Sequence, residues 1–302
     1  MAGFRFLVRH SLKIPAFEAA IHRYELDNVF NPSWIIHGDF HLLAFRARRS
    51  NHRKSGFKSF LLTIDKVKDI VRLDCLTDLF STVIDGPVAD PKLFLSEDEV
   101  WCTFNTGFSL TGNGVFLAKV FPEIGIPTRC EYPLAATVEK NWAFFRRNNT
   151  WYCLYRLQPL TVLEERRGVA GTAPKTHHFE LVFRAPMTGA PENLTIGTQL
   201  WKDGNCWKLI IHQKTYLGAK RLYLGLASEL KLDDNIYSLR HSQVRIAHSA
   251  ASILGSPIKH NPNLISCTYF AGITQQGQSI LLSYGVNDIK SGFASVLWSD
   301  LW

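Results

Sequence analysis

Five strand–turn–strand units recur along this chain, and their order and spacing constrain the fold more than any other feature. Each unit opens with small or polar residues, continues as a short apolar strand, turns on polar residues and returns as an aromatic-rich strand. The units occupy residues 31–47, 90–105, 139–156, 197–212 and 267–288. A repeat of about 40–70 residues that contains several strands is typical of the blades of a β-propeller. The sequence therefore predicts an all-β, five-bladed β-propeller that forms a single domain over residues 1–302.

Helical periodicity is confined to one amphipathic stretch, Ser11 to Val29, near the start of the chain. Elsewhere, short β-branched and aromatic runs alternate with Gly, Pro, Asn and Asp turns, which is the pattern of an all-β protein. We therefore expect a short N-terminal helical segment before the first strand. A β-sandwich whose hairpins resemble one another by coincidence is the alternative architecture.

The charge balance favours anionic partners. The 302 residues include 34 Lys and Arg against 26 Asp and Glu, which gives a net charge of +8. Most of the basic residues are dispersed. The densest basic cluster consists of Arg46, Arg48, Arg49, Arg53, Lys54 and Lys58. It is interpreted either as a solvated loop or as an anion-binding surface.

The six cysteines form no C-x-x-C pair and show no zinc-ligand spacing. Several lie inside apolar runs, where a free cysteine behaves as a small core residue. Basic residues interrupt the apolar N-terminal run, which therefore does not resemble a signal peptide. No window reaches about 18 uninterrupted apolar residues. We expect a cytoplasmic protein with reduced cysteines, no membrane span and no metal site.

In a propeller, the inner strands of all blades converge on one axis. Polar residues at the starts of these strands would then surround a shared central pocket. The residues predicted to do so are Asn31, Asp90, Glu139, Lys140, Asn141, Thr198, Tyr284 and Asp288.

Short motifs accompany these strand starts, in chain order. They are Asn31-Pro32-Ser33 with Arg46, Asp90-Pro91-Lys92, Lys140-Asn141 with Arg156, Gly197-Thr198 with His212, and Tyr284-Gly285-Val286-Asn287-Asp288. With these motifs the chain resembles the five-bladed propeller glycosidases and glycoside phosphorylases, most closely the β-mannoside phosphorylases and hydrolases of glycoside hydrolase family 130. The resemblance covers about residues 30–290. Two positions depart from the family's Glu-Asp-Pro-Arg motif, because Ala89 replaces the Glu and Lys92 replaces the Arg.

The resemblance implies an enzyme that acts on a glycosidic bond, with Asp90 as the general acid. Such a reaction needs a proton donor to the departing oxygen and a nucleophile on the opposite face of the sugar. Glu139 could be a second carboxylate, which would favour hydrolysis, whereas a phosphorylase uses inorganic phosphate as the nucleophile. A turn-forming Asp before proline is the structural alternative for Asp90.

Adjacent residues of a regular strand point to opposite faces, so Glu139 and Lys140 cannot both face the axis. We expect Lys140 to face inward. In a regular strand, Asn141 would then share the side of Glu139, and Trp142 would share the side of Lys140. This makes Trp142 the candidate platform for stacking on a sugar ring, although large aromatics more often pack between blades.

The remaining candidates would bind substrate. An anion would be held by Arg46, Lys140, Arg156, His212 and Tyr284. Asp288 would hold a sugar hydroxyl or orient a basic neighbour, and Asn31, Asn141 and Thr198 would line the pocket. The structural alternatives are strand-end surface positions for the arginines, an ion pair between Lys140 and Glu139, and a hydrogen-bonded core position for His212.

Three functions follow from these expectations. The first is a glycoside phosphorylase or hydrolase acting on an oligo- or polysaccharide. The second is a glycosyltransferase that uses a sugar nucleotide or sugar phosphate on the same scaffold. The third is a non-catalytic glycan-binding propeller, which gains support if Asp90 lies far from every other polar residue of the ring. We expect no resident cofactor and no nucleic-acid partner, with inorganic phosphate or a sugar nucleotide as co-substrate.

Overall fold

The computed structural model describes residues 3–49, 56–67, 70–166, 176–233, 236–255 and 262–302. Arg53 and Lys54 of the basic cluster lie outside these residues. Within the described part, strands carry most of the regular structure, as the sequence predicts. None of the helices described is long and apolar enough to cross a bilayer.

The N-terminal segment precedes a first antiparallel sheet. It contains β1 (Phe4–Phe6), a 3-10 turn (Leu7–His10) and α1 (Pro15–Arg23). Helix α1 lies within the predicted helical segment and begins at Pro15, since proline at the first helical position needs no backbone N–H donor. The first set of strands follows in the order β2 (Leu26–His37), β3 (Phe40–Arg49), β4 (Lys58–Asp65) and β5 (Ile70–Cys75), and it leads into α2 (Leu76–Phe80).

Two further sets form one eight-stranded sheet. The second set comprises β6 (Ala89–Ser96), β7 (Glu99–Asn105), β8 (Val115–Phe121) and β9 (Thr128–Glu131). The third set comprises β10 (Ala143–Arg147), β11 (Thr150–Leu157), β12 (Leu160–Glu165) and β13 (Thr176–Ala185). Each set is antiparallel within itself, and a short parallel pairing of β13 with β9 joins the two.

The last two sets share the third sheet. The fourth set contains β14 (Leu194–Ile196), β15 (Trp201–Asp203), β16 (Cys206–Leu217), β17 (Lys220–Asp233) and β18 (Ile236–Ala247). After α3 (Ala250–Ile253), the fifth set contains β19 (Leu264–Gln276), β20 (Ser279–Val286) and β21 (Lys290–Leu297), followed by a 3-10 turn (Trp298–Leu301). Strand β17 pairs in parallel with β19, and β1 pairs in parallel with β18.

The hairpin turns are built from residues that tolerate a left-handed backbone. Asn148 and Asn149 connect β10 to β11 with φ values of 50° and 59°. A two-residue turn with positive φ at both positions matches the right-handed twist of the strands it joins, and asparagine adopts this conformation more easily than most residues. Gly38 and Gly277 occupy the corresponding turns of the first and fifth sets with φ values of 55° and 60°.

Apolar side chains fill the spaces between consecutive sets. Leu42 of the first set packs in one cluster with Leu93 of the second, and Phe94 of the second packs in another cluster with Phe144 of the third. The third and fourth sets share a cluster, and so do the fourth and fifth. A further cluster contains Trp34 of the first set and Phe293 of the fifth, so the last set packs against the first.

The N-terminal segment also bridges the two ends of the chain. The backbone N–H of Leu12 donates to the carbonyl of Phe293 at 2.9 Å, and that of Val8 donates to the carbonyl of His248 at 2.8 Å. The Leu7 side chain is fully buried among residues of the fourth and fifth sets. The segment before the first set is therefore anchored on the fourth and fifth sets.

We expect Leu7→Ala to lower the free energy of unfolding by about 2–5 kcal/mol, because it leaves a cavity where the N-terminal segment joins the last sheet. Urea unfolding followed by tryptophan fluorescence measures the change. The neighbouring exposed Val8 supplies the matched control, and Val8→Ala should change stability by less than about 0.5 kcal/mol. Equal effects of the two substitutions would show that the Leu7 side chain does not anchor the segment on the last sheet.

Candidate active site

Two predicted site residues lie at irregularities in the first strands of their sets. Asn31 and Asp90 have φ values of 52° and 49°, and the pairing register shifts between Phe30 and Ser33 and between Ala89 and Lys92. A β-bulge of this kind turns a side chain away from the regular alternation of the strand. Asn and Asp accept this backbone conformation at low cost, which explains why these residue types stand here.

The ammonium of Lys92 is the point at which four sets meet. This side chain is 1% exposed. Its Nζ donates to Asn141 Oδ1 of the segment before β10 at 2.9 Å and to the carbonyl oxygen of Gly197 in the fourth set. It also lies 5.2 Å from the ring centroid of Tyr269 in the fifth set. The Tyr269 hydroxyl donates to the same Asn141 Oδ1 at 3.0 Å, which closes the network.

Burial lowers the pKa of Lys92 to about 7, because the charged form loses its hydration. The carboxylate of Asp90 opposes this shift, and the charge of Lys140 adds to it. In the sequence, Lys92 stands out only because it differs from the arginine of the family's motif. Its position two residues after Asp90 was the signal that could have placed it in the site.

Asp90 lies beside a cation. Its Oδ1 is 3.5 Å from Arg46 Nη1, and the Arg46 guanidinium lies 5.2 Å from the ring centroid of Phe30. Asp90 also borders a small cavity of about 10 Å³ that Lys92, Asn105 and other residues line. Asp90 is therefore not isolated from the polar residues around it.

His212 is fully buried, and its hydrogen bonds define its tautomer. The backbone N–H of Phe270 donates to His212 Nε2 at 2.8 Å, so in a neutral ring the proton lies on Nδ1. That buried Nδ1 has no hydrogen-bond partner among the described residues. Burial holds the pKa of His212 well below its usual value, and the charges of Lys92 and Lys214 lower it further. His212 is thus a neutral imidazole with an unused donor.

Lys140 is exposed, and its charge acts on several of these groups. After burial as the main cause, the charge of Lys140 contributes to lowering the pKa of Lys92, His212 and Lys214. We refer to Arg46, Asp90, Lys92, Lys140, Asn141, His212 and Tyr269 as the central cluster. A separate cavity of about 920 Å³ lies against β9 and β13 and contains neither Asp90 nor Lys92.

Glu139, the predicted second carboxylate, is held by hydrogen bonds inside the fold. Its carboxylate accepts hydrogen bonds from the Ala136 N–H at 2.5 Å, the Tyr155 hydroxyl at 2.6 Å and Trp142 Nε1 at 2.8 Å. The Asn113 side chain also bonds to both backbone groups of Glu139, at 2.7 Å each. These donors bury the carboxylate and hold the segment that leads into β10.

Trp142, the candidate sugar platform, is buried in the core. Its side chain is 1% exposed and packs edge-on against Tyr155 and Phe179, with ring centroids 5.2 and 5.9 Å away. Strand β10 begins only at Ala143, and Asn141 has a φ of 60°. The backbone therefore breaks the predicted alternation.

Two more candidate site residues have buried side chains with hydrogen-bond partners inside the fold. Thr198 is fully buried, and its Oγ1 accepts from the Ile210 N–H at 3.0 Å. Tyr284 is also fully buried, and its hydroxyl lies 3.2 Å from His248 Nδ1, while its ring packs against Phe270. Neither side chain joins the central cluster, because backbone and core partners satisfy both, and their contact with substrate stays a prediction.

The remaining candidates lie around the cluster. Arg156 is exposed, 4.9 Å from the Tyr155 ring centroid and 3.9 Å from Glu139. Asn31 is buried, and its Oδ1 has no hydrogen-bond partner among the described residues. A Cβ on Gly285 would collide with that oxygen, which accounts for glycine there. Asp288 acts with Asp90 to raise the pKa of Tyr269, after burial as the main cause. Within the described residues, no group of three or more His, Cys, Asp or Glu side chains is arranged to hold a metal ion.

No protein-family model and no curated protein sequence matches this chain. Solved structures do match. A β-1,2-mannobiose phosphorylase from Listeria innocua is 13% identical, with 91% of each chain covered and a TM-score of 0.58. A putative glycosidase from Bacteroides thetaiotaomicron is 12% identical over 90% of this chain and 87% of its own, with a TM-score of 0.59.

A GDP-Man-dependent mannosyltransferase from Leishmania mexicana also matches, at 13% identity over 94% of both chains and a TM-score of 0.54. At these identities the matches establish the fold. The predicted all-β, propeller-like fold and its resemblance to family 130 glycosidases and phosphorylases are confirmed at that level.

We expect the stability of the wild type relative to Lys92→Met to rise with pH above about 7. Lys92 titrates near pH 7 when folded and near 10.5 as a free side chain, so the unfolded chain binds more protons between these values. Raising the pH therefore favours the folded wild type, by about 2 kcal/mol between about pH 7 and about pH 9.

Urea unfolding of both proteins at these two pH values measures this gap. The exposed Lys202 provides the control, since Lys202→Met should follow the wild type at both pH values. A gap that stays constant with pH would contradict the burial of an ionisable Lys92.

We expect Glu139→Gln to lower the free energy of unfolding by about 2–4 kcal/mol, because the new amide turns a donor toward donors already in place. The measurement is again urea unfolding. Glu123 is exposed, and Glu123→Gln should change stability by less than about 0.5 kcal/mol. An unchanged stability in Glu139→Gln would return Glu139 to the list of catalytic candidates.

Proposed function

We propose that this protein is a carbohydrate-active enzyme that makes or breaks a glycosidic bond, with Asp90 as its general acid. The observation that carries this proposal is the placement of Asp90 at a strand bulge, 3.5 Å from Arg46 and bordering the same small cavity as Lys92 and Asn141. The reaction needs a carboxyl group as proton donor and, beside it, groups that bind an anion.

In phosphorolysis, the bond between the anomeric carbon and the glycosidic oxygen breaks as that oxygen takes the proton of Asp90. A phosphate oxygen forms the new bond to the anomeric carbon, and solvent returns a proton to Asp90. Cations near the phosphate lower the repulsion between the attacking anion and the Asp90 carboxylate that forms as the proton leaves. Arg46 and Lys140 are the side chains that we assign to this role.

An attacking anion is favoured over water because Glu139 is occupied by three hydrogen bonds. A hydrolase of the inverting type needs a second carboxylate as base. Asp288 is the other carboxylate that acts on Tyr269, and a hydrolytic reaction would have to use it. The β-1,2-mannobiose phosphorylase of the same fold supports phosphorolysis of a β-mannoside as the first activity to test.

A glycosyltransferase is the second candidate. The similarity in fold to a GDP-Man-dependent mannosyltransferase extends over 94% of both chains. A sugar nucleotide would present its anomeric carbon to Asp90 and its phosphates to the basic residues. The third candidate, a glycan-binding protein without catalysis, loses the support that an isolated Asp90 would have supplied.

We also propose that the successive strand sets are five blades of one propeller, and that the protein works in a reducing compartment such as the cytoplasm. The core cluster between the fifth and first sets supports a closed ring. The six free cysteines, four of them buried, support the compartment. Localisation of the tagged full chain in its native cell tests the second of these statements.

We expect Asp90→Asn to reduce turnover by about 10²–10⁴-fold while the protein stays folded, because an amide cannot donate the proton. The assay supplies β-1,2-mannobiose with and without inorganic phosphate, and GDP-Man with a mannose acceptor. Release of mannose 1-phosphate identifies a phosphorylase, phosphate-independent release of mannose a hydrolase, and release of GDP a transferase.

Asp85 lies five residues earlier on the surface, and Asp85→Asn serves as the control with wild-type activity. Circular dichroism checks that both variants are folded. Full turnover by Asp90→Asn would refute the assignment of the acid.

A further inference from the structure

A row of basic and aromatic side chains leads outward from the buried His212 along the hairpin of β16 and β17. Lys214 follows two residues after His212 and therefore lies on the same face of β16. Across the hairpin, Tyr223 pairs directly with Lys214, and Arg221 pairs with Tyr216. Residues that pair directly across two strands share a face, so these side chains form one surface.

Two cations of this row meet at one tyrosine. Lys214 Nζ lies 5.7 Å from the ring centroid of Tyr223, and Arg221 Nη1 donates to the Tyr223 hydroxyl at 3.5 Å. Burial lowers the pKa of Lys214 to about 8, and the charges of Lys140 and Arg221 contribute to the shift. Three cations from the third and fourth sets therefore act on one another.

Within the described residues, no carboxylate lies within ion-pair distance of Lys140, Lys214 or Arg221. Asp288 acts on Tyr223, but less strongly than Arg221 does. Like charges that gather without a counter-ion destabilise the fold unless an anion binds between them. The row therefore has the charge of an anion site.

The free donor of His212 is an independent sign of a ligand at the inner end of this row. A buried N–H without an acceptor is unfavourable, because the group has lost its hydrogen bond to water. The Nδ1 proton has no acceptor among the described residues, and a ligand oxygen would supply one. The distance from His212 to Tyr216, opposite Arg221, is about 13 Å of extended strand. This span is longer than a single phosphate group.

We propose that this surface binds a ligand with two linked phosphate groups. His212 and Lys140 hold the phosphate nearer to Asp90, and Lys214 and Arg221 hold the outer phosphate. This assignment rests on the second candidate of the proposed function, the glycosyltransferase, because it makes the sugar donor a diphosphate ester. Inorganic diphosphate and a nucleoside diphosphate share this chemistry.

Isothermal titration of the full chain with phosphate, pyrophosphate and GDP tests the proposal. Pyrophosphate should bind about tenfold or more tightly than phosphate, since it gains charge-assisted hydrogen bonds to two further cations. Lys214→Gln and Arg221→Gln should each weaken pyrophosphate binding about tenfold and phosphate binding less than about twofold. Lys214→Arg, which keeps the charge, should retain most of the affinity.

Lys220 is exposed on the same hairpin and is the matched control, so Lys220→Gln should bind pyrophosphate as the wild type does. Tighter binding of GDP than of pyrophosphate supports the proposal and identifies the ligand as a nucleoside diphosphate. Equal binding of the two also supports it and shows that the diphosphate group alone determines the affinity. Pyrophosphate that binds no more tightly than phosphate, or equal losses in Lys214→Gln and Lys220→Gln, would overturn it.

Asp90→Asn separates this proposal from the proposed function. The variant should keep the wild-type affinity for pyrophosphate while losing turnover. Phosphate-dependent turnover by a wild type that does not bind pyrophosphate would refute the diphosphate site alone. Full turnover by Asp90→Asn with intact pyrophosphate binding would refute the assigned acid alone.

Discussion

The buried ammonium of Lys92 is the interaction on which the centre of this fold depends. A lone charge in a protein interior is strongly unfavourable, and it persists only with hydrogen-bond partners in place. Asn141 Oδ1, the carbonyl of Gly197 and the face of Tyr269 provide them, and each belongs to a different part of the chain. The same side chain that needs these partners therefore also fixes how the strand sets meet.

Lys92 also links the fold to the chemistry. It stands two residues after Asp90, across the bulge that turns the Asp90 side chain toward Arg46. Its lowered pKa means that the charge beside Asp90 and His212 changes near neutral pH. A neutral amine still has two N–H donors for Asn141 and Gly197, so the network can persist in both states while the field on a bound anion differs.

The fold could be predicted because its signals are local and repeated. Turn residues and alternating apolar positions marked the strands, and Pro15 lay within the one helical stretch. The site was harder. The order of the motifs placed Asp90 and Asn141 near the starts of strands, but the alternation rule failed between Glu139 and Trp142, because β10 begins only at Ala143. Asn141 has a left-handed backbone conformation, Trp142 donates a hydrogen bond to Glu139, and Asn141 accepts one from Lys92. No pattern in the sequence marks that backbone angle.

Three polar residues predicted for the site, one as a catalytic carboxylate and two as substrate-binding groups, have partners inside the fold. Thr198, Tyr284 and Glu139 carry groups suited to binding a sugar, yet a backbone N–H or a neighbouring side chain already occupies each one. Whether a polar group is free depends on partners far away in sequence, such as Ile210 for Thr198 and His248 for Tyr284. Such partners come into contact only when the strand sets pack against one another in the folded protein.

The two positions at which this chain differs from the family 130 motif have a common physical explanation. The family's Glu and Arg flank the catalytic Asp, whereas this chain has Ala89 and Lys92. An arginine cannot lose its charge, so burying it calls for a permanent anion nearby, and Ala89 removes one. A lysine needs fewer partners and can release its proton, which suits a site where Asp90 is the carboxylate that supports its charge. The loss of the acidic neighbour therefore favours lysine at this position.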